Sequence, residues 1–260
     1  MLFSLFFDLH TWLAAATLSS ARLAPVFFML PFLNGGVLTG APRLAVILLV
    51  AMSLWPLGDV PPPAMDALAF AGTVLREAAI GVVLGGLLCW PLWVLHGMGN
   101  LIDNQRGATL GNTVDPVNGV DTSELANFLQ LFGAVMFLEA GGMTLVMETF
   151  QASYRLCPPL VSCELAVQPL LTLLDPLMAK ILAIAAPVIA MLLTSEALLG
   201  LLARFAPQMN AFSVSLTIKS AIAFGVLLLY FGTHLPDEVS RMGAQAGERL
   251  GPWLIPAEER

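Results

Sequence analysis

The sequence is poor in charge: only 11% of its 260 residues are Asp, Glu, Lys or Arg, whereas 58% are hydrophobic. That balance excludes an ordinary soluble domain and places the chain in the polytopic membrane class. Its 11 basic residues are scattered singly, so no basic patch exists for nucleic acid. The formal net charge of -7 says little about partners, because several acids lie in the tail after Leu235. Histidine is scarce, with His10, His96 and His234 far apart. No HExxH, GxSxG or Walker A spacing accompanies them, which leaves catalysis, metal binding and cofactor binding without their residues. Asp103, Asp115 and Asp121 lie among turn residues rather than inside apolar helices, which also excludes an intramembrane aspartyl protease pattern. Asp8 is the only charge before Arg22, so a cleaved signal with a basic n-region is not expected and the first apolar segment is read as retained. Of three cysteines, Cys89 sits in an apolar run as an inert core thiol. Cys157 and Cys163 flank a short Pro-Pro loop. A disulfide, if that loop meets an oxidising compartment, and two unlinked thiols both fit the spacing.

What is abundant is apolar sequence, in six segments of about Leu9–Leu33, Leu44–Leu57, Ala64–Leu101, Leu125–Phe150, Leu177–Ala203 and Ala211–Leu235. They predict an all-α, polytopic, membrane-associated fold. The second segment holds about 14 residues, short of the roughly 20 that span a bilayer, while the third runs about 57 Å if continuous. Pro91, Gly97 and Gly99 are expected to kink or break the third segment, and Gly141-Gly142 the fourth. Lys and Arg are spread nearly evenly over the two sets of loops, so the positive-inside rule assigns no orientation. The pattern predicts helical hairpins with kinked and broken apolar helices rather than equal crossings. We take residues 1–236 as one helical domain and 237–260 as a polar tail, a solvated helix or a disordered end.

Residues 103–124, DNQRGATLGNTVDPVNGVDTSE, form the one long polar passage. Gly107, Gly111 and Gly119 supply permissive backbone, and Asp115-Pro116 and Asn118-Gly119 are turn dipeptides. Asp121 with Glu124 is the expected N-cap pair of the next helix. By its residues alone the passage is a solvated connection.

Charges inside apolar segments each need a partner or water: Arg22, Arg76, Glu77, Glu139, Glu148, Lys180, Glu196, Arg204 and Lys219. Arg76 and Glu77, being adjacent, are expected to point at two different partners, whereas Glu196 and Arg204, eight apart, are expected to face one partner surface. Gly81 and Gly85 form a GxxxG that wants another backbone against it, within this chain or another. Pro25, Pro31 and Pro42, with Asn34-Gly35-Gly36, predict a kinked hairpin of the first two segments. RFAPQMNAF predicts a sharp turn between the last two helices, with Pro207 stopping one and Asn210 near the start of the next.

Three stretches carry a resemblance: ARLAPVFFMLPFLNGGVLTGAPR (Ala21–Arg43), IDNQRGATL (Ile102–Leu110) with Asp115-Pro116 following, and RFAPQMNAF (Arg204–Phe212). With the order of the apolar segments they resemble the export-gate subunit of type III secretion systems, the FliR, SctT and SpaR family. The likeness is closer to the SpaR-like injectisome members than to the flagellar ones, and covers the chain to about Pro236. It implies a non-enzymatic, cofactor-free subunit of the bacterial inner membrane, multi-pass, lipid-contacting and raised towards the periplasm. It implies a core complex with SctR/FliP-like and SctS/FliQ-like subunits, near SctU/FlhB-like and SctV/FlhA-like components, closing the entry pore for secreted polypeptides, the unfolded effector and needle proteins. It also implies that residues 106–121 plug the channel, which singles out Arg106, Gly107, Thr109, Leu110, Gly111, Asn112, Asp115, Pro116, Asn118 and Gly119. Arg22, Pro25, Pro31, Arg76, Glu77, Glu196, Arg204, Pro207, Gln208, Asn210 and Phe212 are candidates for subunit contacts or structural motifs. The reading from a different class is a small polytopic transporter or channel acting alone, which internal symmetry and paired broken helices would favour.

Overall fold

A computed structural model describes residues 2–33, 39–56, 66–108, 123–161, 163–165, 167–205, 211–232, 234–248 and 254–256. Among the described residues eight helices follow in order: α1 (Leu2–Met29), α2 (Ala41–Leu54), α3 (Ala67–Arg106), α4 (Glu124–Glu139), α5 (Gly142–Leu156), α6 (Val167–Phe205), α7 (Ala211–Phe231) and α8 (Leu235–Glu248). The fold is all-α apart from a short antiparallel ladder of β1 (Cys163–Leu165) and β2 (Leu254–Pro256), with Glu164 opposite Ile255.

Four described segments are long and apolar enough to cross a bilayer: Thr11–Met29, Ala67–Arg106, Pro176–Phe205 and Val214–Phe231; a broken α4–α5 pair would make a fifth. Helix α2, with 14 residues, measures about 21 Å and is too short to cross alone. Its Pro42 stands in the first turn, where the missing N–H has no intrahelical acceptor to lose. Pro25 lies inside α1, and the chain turns at Pro31 just beyond the helix. Residues 34–36 fall outside the described ones.

Of the kink or break expected in the third segment, the break does not occur. Helix α3 runs unbroken for 40 residues through Pro91. Proline removes one backbone bond, a loss that dense packing tolerates, and here Leu88, Cys89, Leu92 and Leu95 around it are fully buried. The glycines serve packing instead: Gly97 faces Ile181, and Gly99 lies against the backbone of Ala126. In the fourth segment the helix does break. Helix α4 ends at Glu139, α5 begins at Gly142, and Gly141 between them has φ 86°, a left-handed value that disfavours any residue with a Cβ.

The chain forms two compact units, one of Met1–Trp90, Gly141–Thr172 and Gly243–Arg260, the other of Pro91–Ala140 and Leu173–Met242. In the first, α1 and the N-terminal part of α3 approach at the GxxxG, with Gly81 against the Arg22 carbonyl and Gly85 against Val26 and Met29. The motif therefore seats a helix of the same chain. Leu18, Val26, Phe27, Leu30, Ile47, Ile80, Leu84 and Phe150 fill that core. In the second, Leu92, Met98 and Ile102 of α3, Leu125 and Leu129 of α4, Ile184, Val188 and Leu192 of α6, and Leu227 of α7 are buried. The tail beyond Pro236 continues α8, which buries Leu235, Val239 and Met242. Their spacing places them on one face, and an ion pair from Glu238 to Lys180 ties α8 to α6.

Candidate functional site

Two polar centres stand in otherwise apolar packing, one in each unit. In the first unit Arg22 and Glu77 are both fully buried. Arg22 donates through Nε to Glu77 Oε2 at 2.7 Å, and its Nη2 lies 2.7 Å from the same oxygen in an ion pair. Its Nη1 donates to Ser153 Oγ at 3.2 Å and its Nη2 to the Cys157 carbonyl at 2.9 Å. The guanidinium also lies 4.2 Å from the centre of the Tyr154 ring, a favourable cation–π placement. Such saturation is the condition under which a charge is kept in a core.

Arg76 completes this centre: as expected it and Glu77 have different partners, the Pro159 and Val161 carbonyls and Arg22, but the two also meet each other. Arg76 Nη2 reaches Glu77 Oε1 at 3.0 Å. Nη2 also donates to the Pro159 carbonyl, and Nη1 donates to the Val161 carbonyl at 2.5 Å. Neighbouring Cβ atoms on a helix diverge, but a long guanidinium stem folds back and converges on the same carboxylate. Glu77 therefore stands between two arginines, and both arginines hold carbonyls of the segment after α5. Cys157 in that segment is buried and disulfide-bonded, while Cys89 is a free thiol. The side chain of Cys163 lies outside the described ones.

The second centre joins the flanks of the central polar passage. Asp103, 1% exposed, accepts from Arg106 Nε at 2.7 Å on Oδ1. Its Oδ2 accepts from Ser123 Oγ at 2.6 Å and from the backbone N–H of Leu125 at 3.2 Å. Ser123, not Asp121, is the N-cap of α4: its Oγ accepts from the Ala126 N–H at 3.1 Å. The cap must stand immediately before the first helical residue, and Ser123 does. Asp103 adds a carboxylate at a helix N-terminus, where the orphan N–H groups and the dipole favour negative charge.

The last turn of α3 makes two more ties. The Arg106 guanidinium lies 5.0 Å from the Phe224 ring centre on α7. Gln105 donates to Glu196 on α6 at 3.3 Å, and Glu196 pairs with Lys219 on α7 at 3.1 Å. Glu196 is therefore engaged within the chain; Arg204 is exposed. A groove of about 560 Å³ runs beside this junction, lined by Arg106, Glu124, Leu125, Phe128, Phe224, Leu227, Leu228 and Phe231.

Of the residues singled out for a plug, Arg106 and Gly107 are placed, Gly107 with φ 80° at the end of α3. Thr109, Leu110, Gly111, Asn112, Asp115, Pro116, Asn118 and Gly119 lie outside the described residues, as do Pro207, Gln208, Asn210 and the side chain of Phe212. Sequence reasoning missed Asp103 and Ser123 as a pair. Two signals were present: the Asp–Arg spacing of three on one helix, and a serine directly before Glu124-Leu125. Among the described residues no group of three or more His, Cys, Asp or Glu is placed to hold a metal ion.

Residues 13–242 match the family model of bacterial export proteins, family 1. The chain belongs to that family. It is 52% identical over 256 residues to the surface presentation of antigens protein SpaR of Salmonella typhimurium, covering 98% of this chain and 96% of that protein. It is 29% identical over 224 residues to Yop proteins translocation protein T of Yersinia pestis, at 82% and 84% coverage. With the flagellar biosynthetic protein FliR of Bacillus subtilis it shares 22% over 213 residues, at 80% and 82% coverage. The likeness is thus stronger to SpaR than to this flagellar relative, as the three stretches implied. As a member of the export family with several membrane-length helices, the chain is a multi-pass inner-membrane subunit of a type III secretion export apparatus and not an enzyme.

Proposed function

We propose that this subunit forms, with SctR- and SctS-like subunits, the entry pore through which unfolded effector and needle proteins cross the bacterial inner membrane, near SctU- and SctV-like components, and that residues 106–121 obstruct that pore. The observation that carries the pore reading is the match to SpaR along nearly the full length of both chains. Support for the obstruction comes from its flanks. The Asp103 carboxylate, through Ser123 and Arg106, brings the end of α3 to the start of α4, so the passage leaves and returns at one place.

A mostly uncharged passage containing Thr109, Asn112, Thr113 and Asn118 suits a channel that must not retain substrates of one charge. The uneven helices, α2 among them, fit hairpins covered by neighbouring subunits and raised towards the periplasm. The test is to co-purify the chain with its partners and then delete residues 107–118. We expect two other small hydrophobic subunits in the complex, unchanged assembly on deletion, and a rise in ion leakage through the membrane. Unchanged permeability in assembled complexes rejects the plug, and a functional monomer or homodimer rejects the gate.

A further inference from the structure

The loop after α5 and the end of the chain meet within the first unit. Strand β1 pairs antiparallel with β2, Cys163 opposite Pro256 and Leu165 opposite Leu254, and α5 also contacts β2. A ladder of three residues on each side does not hold by itself. Two strands in water are marginal even at full hairpin length, and each residue fixed costs about 1–2 kcal/mol of backbone entropy. One strand must therefore be held in place before the other arrives.

What holds β1 lies in the loop before it. Arg22 binds the Cys157 carbonyl, and Arg76 binds those of Pro159 and Val161. The Val161 N–H also closes a turn onto the Pro158 carbonyl at 3.2 Å. These ties reach Val161 and stop. Cys157 is disulfide-bonded, Cys89 is free and the chain has three cysteines, so the bond runs to Cys163. Since Cys163 is the first residue of β1, the disulfide carries order from the arginine centre to the strand. A disulfide persists in an oxidising compartment, which for an inner-membrane protein is the periplasm. Cys157 is fully buried, so its oxidant must reach it before the loop packs onto Arg22.

We propose that thiol oxidation builds a clasp on the periplasmic face: the bond between Cys157 and Cys163 fixes β1, and β1 then captures the C-terminal strand β2. The step is a thiol–disulfide exchange. Two thiols of this chain give two protons and two electrons to the disulfide of a periplasmic thiol oxidase, which leaves as a dithiol. The loop must cross the membrane first, so the tail is captured only in a chain that is already inserted. Once the loop has packed, the Cys157 sulfur is sealed from further exchange, because attack on a disulfide needs access. The clasp stands on the loop and the tail alone and does not depend on what residues 106–121 do.

The test uses the assembled complex in spheroplasts, which expose only the periplasmic side to an added protease. Chymotrypsin cuts after Trp253, directly before β2, and mass spectrometry follows release of residues 254–260. We expect slow release from the parent chain and release about tenfold faster from the Cys157→Ser, Cys163→Ser double variant, whose β1 opens locally. Should the double variant fail to assemble, Cys163→Ser, which keeps the buried Cys157 in place, is read instead. Glu164→Pro and Leu165→Pro leave both cysteines intact. Neighbouring residues of a strand point their N–H groups to opposite sides, so one of the two removes a ladder donor and should release the peptide as fast as the cysteine variants do. Equal release from the parent and the cysteine variants overturns the proposal, and so does equal release from the parent and both proline variants. Cleavage in inverted vesicles but not in spheroplasts puts the tail on the cytoplasmic side and overturns it as well.

Discussion

The hydroxyl of Ser123 stands 2.6 Å from the buried carboxylate of Asp103, across 20 residues of chain. One side chain caps α4, and the other holds the cap and the last turn of α3 together. Removing them separately should therefore give unequal losses. Ser123→Ala removes the cap and leaves Asp103 its Leu125 and Arg106 partners, at a cost of about 1 kcal/mol. Asp103→Ala removes three bonds and leaves Arg106 uncompensated, and should cost more. Thermal unfolding of the detergent-solubilised complex checks the order; equal midpoints for the two variants would contradict the shared-acceptor arrangement.

The Arg22–Glu77 pair predicts strong asymmetry between breaking and replacing. Arg22→Ala or Glu77→Ala alone strands buried charge, at about 3–5 kcal/mol, and should lower recovery of the complex. Glu77 retains Arg76 when Arg22 is lost, so Arg22→Ala should be the milder change. A double change to Met at 22 and Leu at 77 should recover part of the yield. Measured yields in which the double variant is worse than both single ones refute this account.

Glycine substitutions on α3 should divide by position. A Cβ at Gly81 meets the Arg22 carbonyl, whereas one at Gly72 meets nothing within 4 Å. Gly81→Ala must therefore move a backbone, at about 1–3 kcal/mol, while Gly72→Ala should leave stability unchanged or raise it slightly through helix propensity. Assembly yield at two temperatures distinguishes them.

The disulfide of Cys157 should be recovered with Cys163 by non-reducing peptide mapping of purified protein. Closing so short a loop stabilises by about 2 kcal/mol on chain entropy. Since Arg22 and Arg76 already hold the carbonyls of Cys157, Pro159 and Val161, a Cys157→Ser, Cys163→Ser double variant should still assemble. Two free thiols in oxidised material would refute the pairing.

Much of the architecture was legible from apolar run lengths: the shortness of α2, the great length of α3 and the break at Gly141. These depend on composition within one segment. What escaped depends on geometry between segments. Nothing local says that Pro91 is packed tightly enough for α3 to pass through it, or that Arg76 folds back onto Glu77. Asp103 looked like one acid among several in a polar passage, because its importance lies in reaching Ser123, twenty residues on. The cap was misplaced for a related reason: Asp121 and Ser123 are both capping types, and only the observed first helical residue, Glu124, decides between them.

Helix α3 has 40 residues and measures about 60 Å, roughly twice the thickness of the hydrocarbon layer. Newly made, so long an apolar helix cannot be accommodated by lipid along its whole length, and tilting recovers only part of the difference. The remainder needs protein around it, and this chain's own core covers only part, leaving Leu68, Leu75 and Val82 exposed. A subunit synthesised without companions would leave oily surface standing in water, open to aggregation and proteolysis, so its lifetime in the cell should depend on how promptly the companions arrive.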